Sequence, residues 1–246
     1  MDISDRVALI TGGKRVGAVV AVELASRGAD VALSFNRSRR EAEEAAATVR
    51  ARGRRALLVQ ADLATAEGCR SLIAQTVAGL GRLDVLVNMA SVYKAVPFEA
   101  LTDADLDRQL AVDLKAAYTC ALAAVPHMQA AGAGRIINIA DWLARSHRPR
   151  YKGYLPYYVA KCAVVGLTEA LALELAETEI LVNAVAPGPI LPPPDLGDQE
   201  IAAVEKATPL GRWGGAAEIA KAVTALVESD FITGETIRVD GGRHLS

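Results

Sequence analysis

Val7-Ala8-Leu9-Ile10-Thr11-Gly12-Gly13-Lys14-Arg15-Val16-Gly17 reads as an apolar strand, a glycine turn and the start of a helix. Glycines at a strand-to-helix turn let the backbone approach a pyrophosphate. The helix start adds free amide donors and the positive end of its dipole. A P-loop is excluded, because no Lys-Ser/Thr pair follows Gly17. The turn predicts dinucleotide binding by Gly12, Lys14, Arg15, Val16 and Gly17, against the alternative of an ordinary tight turn.

The same alternation runs outward from this turn. Helix is expected over Val16 to Arg27, ended by Gly28, then strand over Val31 to Phe35. Helix follows over Arg39 to Ala51 up to Gly53, strand over Ala56 to Val59, and helix over Ala66 to Leu80 up to Gly81. Strand Leu83 to Asn88 precedes one helix from Thr102 to about Met128, opened by a capping pattern at Thr102 to Asp105. Strand Arg135 to Ile139, helix Pro156 to about Glu177 and strand Leu181 to Val185 come next. A proline-rich loop from Pro187 to Pro194, a helix from Ala216 to Glu228 and a strand from Glu235 to Val239 complete the order.

Continuous apolar strands between helices mark a parallel sheet covered on both faces. The fold class is therefore α/β: a doubly wound parallel (Rossmann) sheet of about seven strands with helices on both faces. Without a linker-like stretch, residues 1–246 read as one domain. The length of 246 residues and a hydrophobic content of 52% allow a large core and exclude disorder as the main state.

Other classes fall to composition. A net charge of -2 argues against holding nucleic acid by bulk electrostatics. Cys69, Cys120 and Cys162 lie far apart without a C-x-x-C pair, and His127, His147 and His244 are equally scattered. Reduced thiols and no metal site are expected. No uncharged apolar stretch is long enough to span a membrane. The N-terminal residues run straight into a strand-like segment, so a cytoplasmic location is expected.

Cofactor preference is read at the end of the second strand. An NAD site usually places an acid there to hold the ribose 2′-hydroxyl. The chain has Asn36-Arg37-Ser38 instead, and Arg37 with Lys14 and Arg15 can surround an extra phosphate. NADP(H) is therefore the expected cofactor.

Tyr157 and Lys161 are four residues apart, which puts them on one helical face. A nearby ammonium is expected to lower the tyrosine pKa and to make it an acid for a carbonyl or imine. Tyr158 competes for that role, and Tyr154 is expected outside the helix.

Taken in order, these pieces resemble the short-chain dehydrogenase/reductase family over nearly the whole chain. The matching segments are Thr11 to Gly17, Asp62-Leu63, Asn88 to Ser91, Tyr157 to Lys161, Asn183 to Gly188 and Asp240 to Gly242. The resemblance implies that Asp62 and Leu63 hold the adenine, that Asn88 and Ala90 border the cofactor, and that Lys161 also bonds the nicotinamide ribose. It implies further that Pro187, Gly188 and Ile190 meet the carboxamide, that a substrate loop lies around 188–212, and that the chain forms a homo-oligomer, a tetramer.

Three departures stand out. The phosphate turn lacks the family's middle glycine and looks one residue shorter. Asp113 falls where the family has an asparagine of its proton relay; an ionised aspartate accepts hydrogen bonds but cannot donate them. Asp141 stands where the catalytic serine is expected, which resembles the pteridine reductase branch. So do Lys14-Arg15, Asn36-Arg37-Ser38 and the run ending at Tyr93.

The expected catalytic set is Tyr157, Lys161, Asp141 and Asp113. The expected substrate residues are Tyr93, Asp141, Trp142 and Tyr157, with the basic run Arg145 to Lys152 facing either solvent or an anionic substrate tail. The expected activity is hydride transfer from NADPH to a small-molecule C=N or C=O substrate, foremost a dihydropterin or dihydrofolate. The alternatives are a 3-oxoacyl-thioester or small carbonyl reductase of the same fold, and a nucleotide-binding protein without strong catalysis.

Overall fold

The computed structural model describes residues 1–193 and 196–245. Seven parallel strands form one sheet: β1 (Val7–Thr11), β2 (Asp30–Phe35), β3 (Ala56–Gln60), β4 (Val85–Asn88), β5 (Gly134–Ile139), β6 (Ile180–Pro187) and β7 (Thr236–Val239). Their spatial order is β3-β2-β1-β4-β5-β6-β7. The chain thus leaves β1 toward β2 on one side and returns to β4 on the other. That reversal opens a crevice at the carboxyl ends, where such sheets bind ligands.

Alternation along each strand divides the core in two. Ala8, Ile10, Val31, Leu33, Val85, Val87 and Ile137 face one side, with residues of α1 (Val16–Ser26), α2 (Arg39–Arg50) and α9 (Ala216–Glu228). Val7, Leu9, Ala32, Leu86, Ile136 and Val182 face the other. There they pack on α3 (Ala66–Leu80), α5 (Ala116–Ala130) and α7 (Leu155–Glu174). A fully buried leucine such as Leu9 or Leu86 contributes about 2 kcal/mol, so both faces are strongly fixed.

Several expected boundaries move. The helix expected from Thr102 to Met128 is α4 (Asp103–Gln109), a wider π turn at Leu110–Lys115, and α5 running to Ala130. The Thr102–Asp105 capping box is present at its start. Strand β4 begins at Val85 rather than Leu83; just before it, Asp84 accepts the Val7 amide of β1 through Oδ2 at 2.9 Å. Helix α7 begins at Leu155, so Pro156 is inside the first turn, and it ends at Glu174. Pro187 closes β6 instead of opening a loop. Two short helices, α6 (Trp142–Ser146) and α8 (Asp198–Lys206), fall where only loop was expected. Pro194, in the proline-rich stretch, lies outside the described residues.

Register brings the functional segments to one edge. Thr11 is level with Asn88, Asn88 with Asn138, Phe35 with Gln60, and Pro187 with Val239. No helix among the described residues is long and apolar enough to cross a membrane.

Candidate active site

The phosphate turn is shaped by contacts that admit no side chain. Gly12 has φ of +90°, and a Cβ on Gly17 would lie 1.9 Å from the Gly12 carbonyl oxygen. Ser34 accepts the Gly12 amide through Oγ at 3.1 Å and the Gly13 amide through its carbonyl at 2.9 Å. Thr11 Oγ1 accepts the amides of Met89 and Ala90 at 2.8 and 3.1 Å, which locks the ends of β1 and β4 together.

Arg15 stands where the family's glycine is missing and takes φ of +52°. That is costly for a residue with a side chain, roughly 1–3 kcal/mol. Its guanidinium is not turned to the second strand. It donates to the Pro192 carbonyl at 3.0 Å and ties the phosphate turn to the segment after β6.

A cleft of about 1180 Å³ runs from this turn along the carboxyl edge. Gly12, Lys14, Arg15, Val16 and Gly17 line one end, with Asn36, Arg37, Ser38, Asp62 and Leu63 beside them. Lys14 pairs with Glu41 at 3.4 Å, while Arg37 is exposed with no ion-pair partner among the described residues. Asn36 reaches Asp62 at 3.5 Å, linking the ends of the second and third strands.

Ala90, Pro187, Gly188 and Ile190 line the middle of the cleft. Asn88 does not line it. Its amide donates inward to Asn138 Oδ1 at 2.9 Å, so it braces the sheet edge from behind. Of the loop expected around 188–212, Gly188 and Ile190 lie on the floor, and Glu200, Ala203 and Val204 of α8 line the cleft. Residues 194 and 195 of that loop lie outside the described residues.

At the far end stand Tyr93, Asp141, Trp142, Tyr157 and Lys161. Asp141 follows β5 and caps α6: its Oδ1 accepts the Leu143 amide at 2.7 Å. Its Oδ2 accepts the Tyr157 hydroxyl at 3.0 Å. Capping and partnering the tyrosine are thus done by the two oxygens of one carboxylate. Burial pushes the Asp141 carboxyl above the usual carboxylate range, against the pull of the Leu143 amide, the Tyr157 hydroxyl and the Lys161 charge.

The expectation that an ammonium lowers the Tyr157 pKa is corrected. Burial pushes it well above its ordinary value, and the Asp141 and Asp113 charges push the same way. The reason is where Lys161 is tied. Its ammonium lies 3.2 Å from Asp113 Oδ2, donates to the Ile139 carbonyl at 2.8 Å, and sits 5.7 Å from the centre of the Tyr157 ring. Both side chains of that ion pair are almost fully buried. The π turn projects Asp113 there, and such widened turns recur at functional sites. Asp113 also accepts the Ser91 hydroxyl at 2.5 Å and the Val92 amide at 3.1 Å.

Tyr158 also lines the cleft, but its hydroxyl neighbours Cys162 rather than Asp141. Tyr154 precedes α7, as expected, yet it belongs to the site. Its ring stacks on Tyr93 with centres 4.7 Å apart, and Tyr93 meets Tyr157 edge-on at 4.9 Å. One face of Tyr93 is therefore covered by Tyr154. Trp142 is buried, with the Arg150 guanidinium 5.3 Å from its ring centre.

Sequence reasoning passed over Tyr154, the Ser91–Asp113 bond and Trp213, which also lines the cleft. Ser91 was within a quoted motif, but nothing in the pattern linked it to Asp113. Among the described residues no cluster of His, Cys, Asp and Glu suits a metal ion.

A family model described as enoyl-(acyl carrier protein) reductase matches residues 13–244. The chain is 37% identical to (2S)-[(R)-hydroxy(phenyl)methyl]succinyl-CoA dehydrogenase subunit BbsD of Thauera aromatica, covering 100% of this chain and 99% of that one. It is 33% identical to the 3-oxoacyl-[acyl-carrier-protein] reductase FabG of Staphylococcus aureus, covering 97% and 98%. A short-chain dehydrogenase from Burkholderia cenocepacia, solved in complex with NADP, superposes with a TM-score of 0.92 at 33% identity, covering 99% of each chain.

Proposed function

Because the chain belongs to the short-chain dehydrogenase/reductase family, we propose that this oxidoreductase uses NADPH to reduce a small carbonyl or imine substrate. The single observation that carries the chemistry is the Tyr157–Asp141 hydrogen bond of 3.0 Å at the far end of the cleft. The cofactor fits the other end: the Gly12–Gly17 turn lines the cleft at the start of α1, where helix-start amides suit a pyrophosphate, and Arg37, with no ion-pair partner among the described residues, lines it where a 2′-phosphate needs a cation. When bound, NADPH supplies a hydride.

The residues supply the rest. Gly12, Val16, Gly17 and the helix start receive the pyrophosphate, with Lys14 nearby. Asp62 and Leu63 border the adenine; Ala90, Pro187, Gly188 and Ile190 border the nicotinamide side. Lys161, fixed by Asp113 and Ile139, offers its remaining proton to the ribose. Tyr157 stays protonated because its pKa is held high, so it can donate to the substrate oxygen or nitrogen. Asp141 accepts the Tyr157 hydroxyl through Oδ2 and so holds it in place for that donation.

The relatives' names favour a carbonyl substrate, a 3-oxoacyl thioester or a related small ketone. A second reading, a dihydropterin or dihydrofolate, rests on a specific feature. Asp141 replaces a serine, and a carboxyl can exchange a proton with a ring nitrogen where a hydroxyl does so poorly. The Tyr93–Tyr154 stack beside it suits a flat heterocycle.

An NADPH-consumption screen of 3-oxoacyl thioesters, small ketones, 7,8-dihydropterins and dihydrofolate separates the two. Absence of NADPH binding would remove both. A tetramer is part of this reading, supported by the exposed Tyr118 and Leu122 of α5 and Val159 and Leu173 of α7; light scattering reads it directly. A cytoplasmic location is supported by three free cysteines.

A further inference from the structure

The chain holds six tyrosines, two tryptophans and three phenylalanines, and aromatic residues are only 4% of it. Five of the tyrosines and both tryptophans line the cleft. Core packing does not explain this gathering. The largest fully buried side chains are leucine, isoleucine and methionine, with no aromatic residue among them. The sixth tyrosine, Tyr118, and two phenylalanines, Phe98 and Phe231, are exposed. Aliphatic side chains thus build the interior, and the rings are gathered where a ligand can meet them.

Three of the rings have a defined mutual geometry. Tyr154 stacks on Tyr93 with the planes 24° apart and the centres at 4.7 Å. Tyr157 stands 4.9 Å from Tyr93 at 81°, and 6.4 Å from Tyr154. Those three distances make a nearly right angle at Tyr93, so Tyr157 lies beside the Tyr93–Tyr154 stack and not opposite Tyr154. The second face of Tyr93 therefore carries no ring among the described residues, and Tyr93 is 56% exposed while it lines the cleft.

We propose that the substrate is an aryl ketone, its ring bonded directly to the reducible carbonyl and stacked on the open face of Tyr93, with Tyr157 meeting the carbonyl oxygen. This deepens the reductase reading above and rests on it. Stacked rings place their centres about 4.5–7 Å apart. Tyr157 is itself 4.9 Å from Tyr93, so a ring on Tyr93 lies next to the proton donor and its carbonyl needs no spacer. A linear acyl chain gains only buried area from these faces, whereas a flat ring gains the area and the quadrupole attraction. The reduction adds a hydride from NADPH to the carbonyl carbon and the Tyr157 proton to its oxygen, leaving a secondary alcohol and NADP+.

Methyl phenyl ketone and methyl cyclohexyl ketone share a carbon skeleton and differ in whether the ring is flat and unsaturated. Conjugation slows hydride addition to the phenyl ketone, so binding is the direct readout. Calorimetric titration of each ketone into the NADP+-saturated enzyme, which cannot reduce it, measures that binding. The phenyl ketone should bind roughly threefold to tenfold more tightly. Tyr93→Leu keeps apolar bulk and removes the ring, and should bring that ratio toward one. Tyr93→Phe should keep it. If Tyr93→Leu does not fold, the wild-type ratio decides alone.

Equal or tighter binding of the cyclohexyl ketone overturns the proposal, and so does an unchanged ratio in Tyr93→Leu. Wild-type turnover confined to linear 3-oxoacyl thioesters, or to 7,8-dihydropterins, overturns it as well and leaves the reductase reading standing. A wild type that consumes NADPH with none of these substrates overturns the reductase reading instead.

Discussion

Replacing Asp113 with asparagine deletes one charge from a buried ion pair and keeps the side chain's shape. In the protein, Asp113 is fully buried and Lys161 nearly so, at 0% and 3% side-chain exposure and 3.2 Å apart. Removing one partner of such a pair leaves the other charge uncompensated, which costs about 3–5 kcal/mol. The asparagine oxygen can still accept the Val92 amide, and Lys161 keeps the Ile139 carbonyl at 2.8 Å. The lower end, about 3 kcal/mol, is therefore expected. Urea unfolding with an unchanged m-value reads it. The double variant Asp113→Leu, Lys161→Met removes both charges and should recover most of the loss. A second readout is independent of stability. The Asp113 charge helps to hold the Tyr157 pKa up, so in Asp113→Asn the alkaline limb of kcat/KM, where the Asp141–Tyr157 pair loses its proton, should move to lower pH. A variant within about 0.5 kcal/mol of wild type, with an unmoved alkaline limb, would refute the coupling of Asp113 to both Lys161 and Tyr157.

Tyr157→Phe should abolish nearly all turnover and leave NADPH affinity almost unchanged, because its hydroxyl serves proton transfer; Tyr158→Phe should be mild, and the opposite order of severity would reverse the assignment. Arg37→Asp should lower kcat/KM with NADPH far more than with NADH, by the roughly 1.5–3 kcal/mol of a charge-assisted phosphate contact, and equal losses would exclude it as the 2′-phosphate cation. For Asp141→Asn the sign follows from a folded pKa raised above the unfolded one: the wild type is favoured at low pH and loses stability as pH rises through that raised value. The variant cannot ionise, so its stability relative to wild type should climb as pH rises above the ordinary carboxylate pKa of about 4. A flat difference in melting temperature across that range would show that Asp141 is not held in its acid form.

The frame of this site was legible because it is written in local patterns. Strand-length apolar runs such as Val7 to Ile10, and glycines after helices such as Gly28 and Gly81, carry their own geometry. Their order places Thr11, Asn88, Ile139 and Pro187 at one edge without reference to tertiary contacts. What was not legible depends on groups that meet only after folding. The π turn at Leu110–Lys115 leaves no mark in composition, yet it aims Asp113 at Lys161. Helix α6 is five residues long and hidden at the start of a basic run. The four-residue spacing of Tyr157 and Lys161 puts both on one helical face, and both line the cleft, but it says nothing of a carboxylate taking up the ammonium. Burial, with the Asp141 and Asp113 charges, turns the tyrosine's pKa upward, and none of these is visible in the spacing.

The two departures at positions 113 and 141 act on one charge balance. Lys161 is the buried cation of the cluster among the described residues, and Asp113 lies 3.2 Å from it. Among the described residues Asp141 has no cation in hydrogen-bond contact, only the Leu143 amide and the Tyr157 hydroxyl. A buried carboxylate so placed is stabilised by taking up a proton rather than by pairing. Burial raises both Asp141 and Tyr157, and the Asp141 and Asp113 charges raise Tyr157 further. After hydride arrives at carbon, a reduction needs one proton on the adjoining oxygen or nitrogen. A serine at 141 could pass such a proton along but could not store it, because its hydroxyl hardly ionises. An asparagine at 113 would free the ammonium to pull the tyrosine toward phenolate. With aspartate at both positions, Asp113 takes up the Lys161 ammonium and Asp141 is left to accept the Tyr157 hydroxyl at the far end of the cleft.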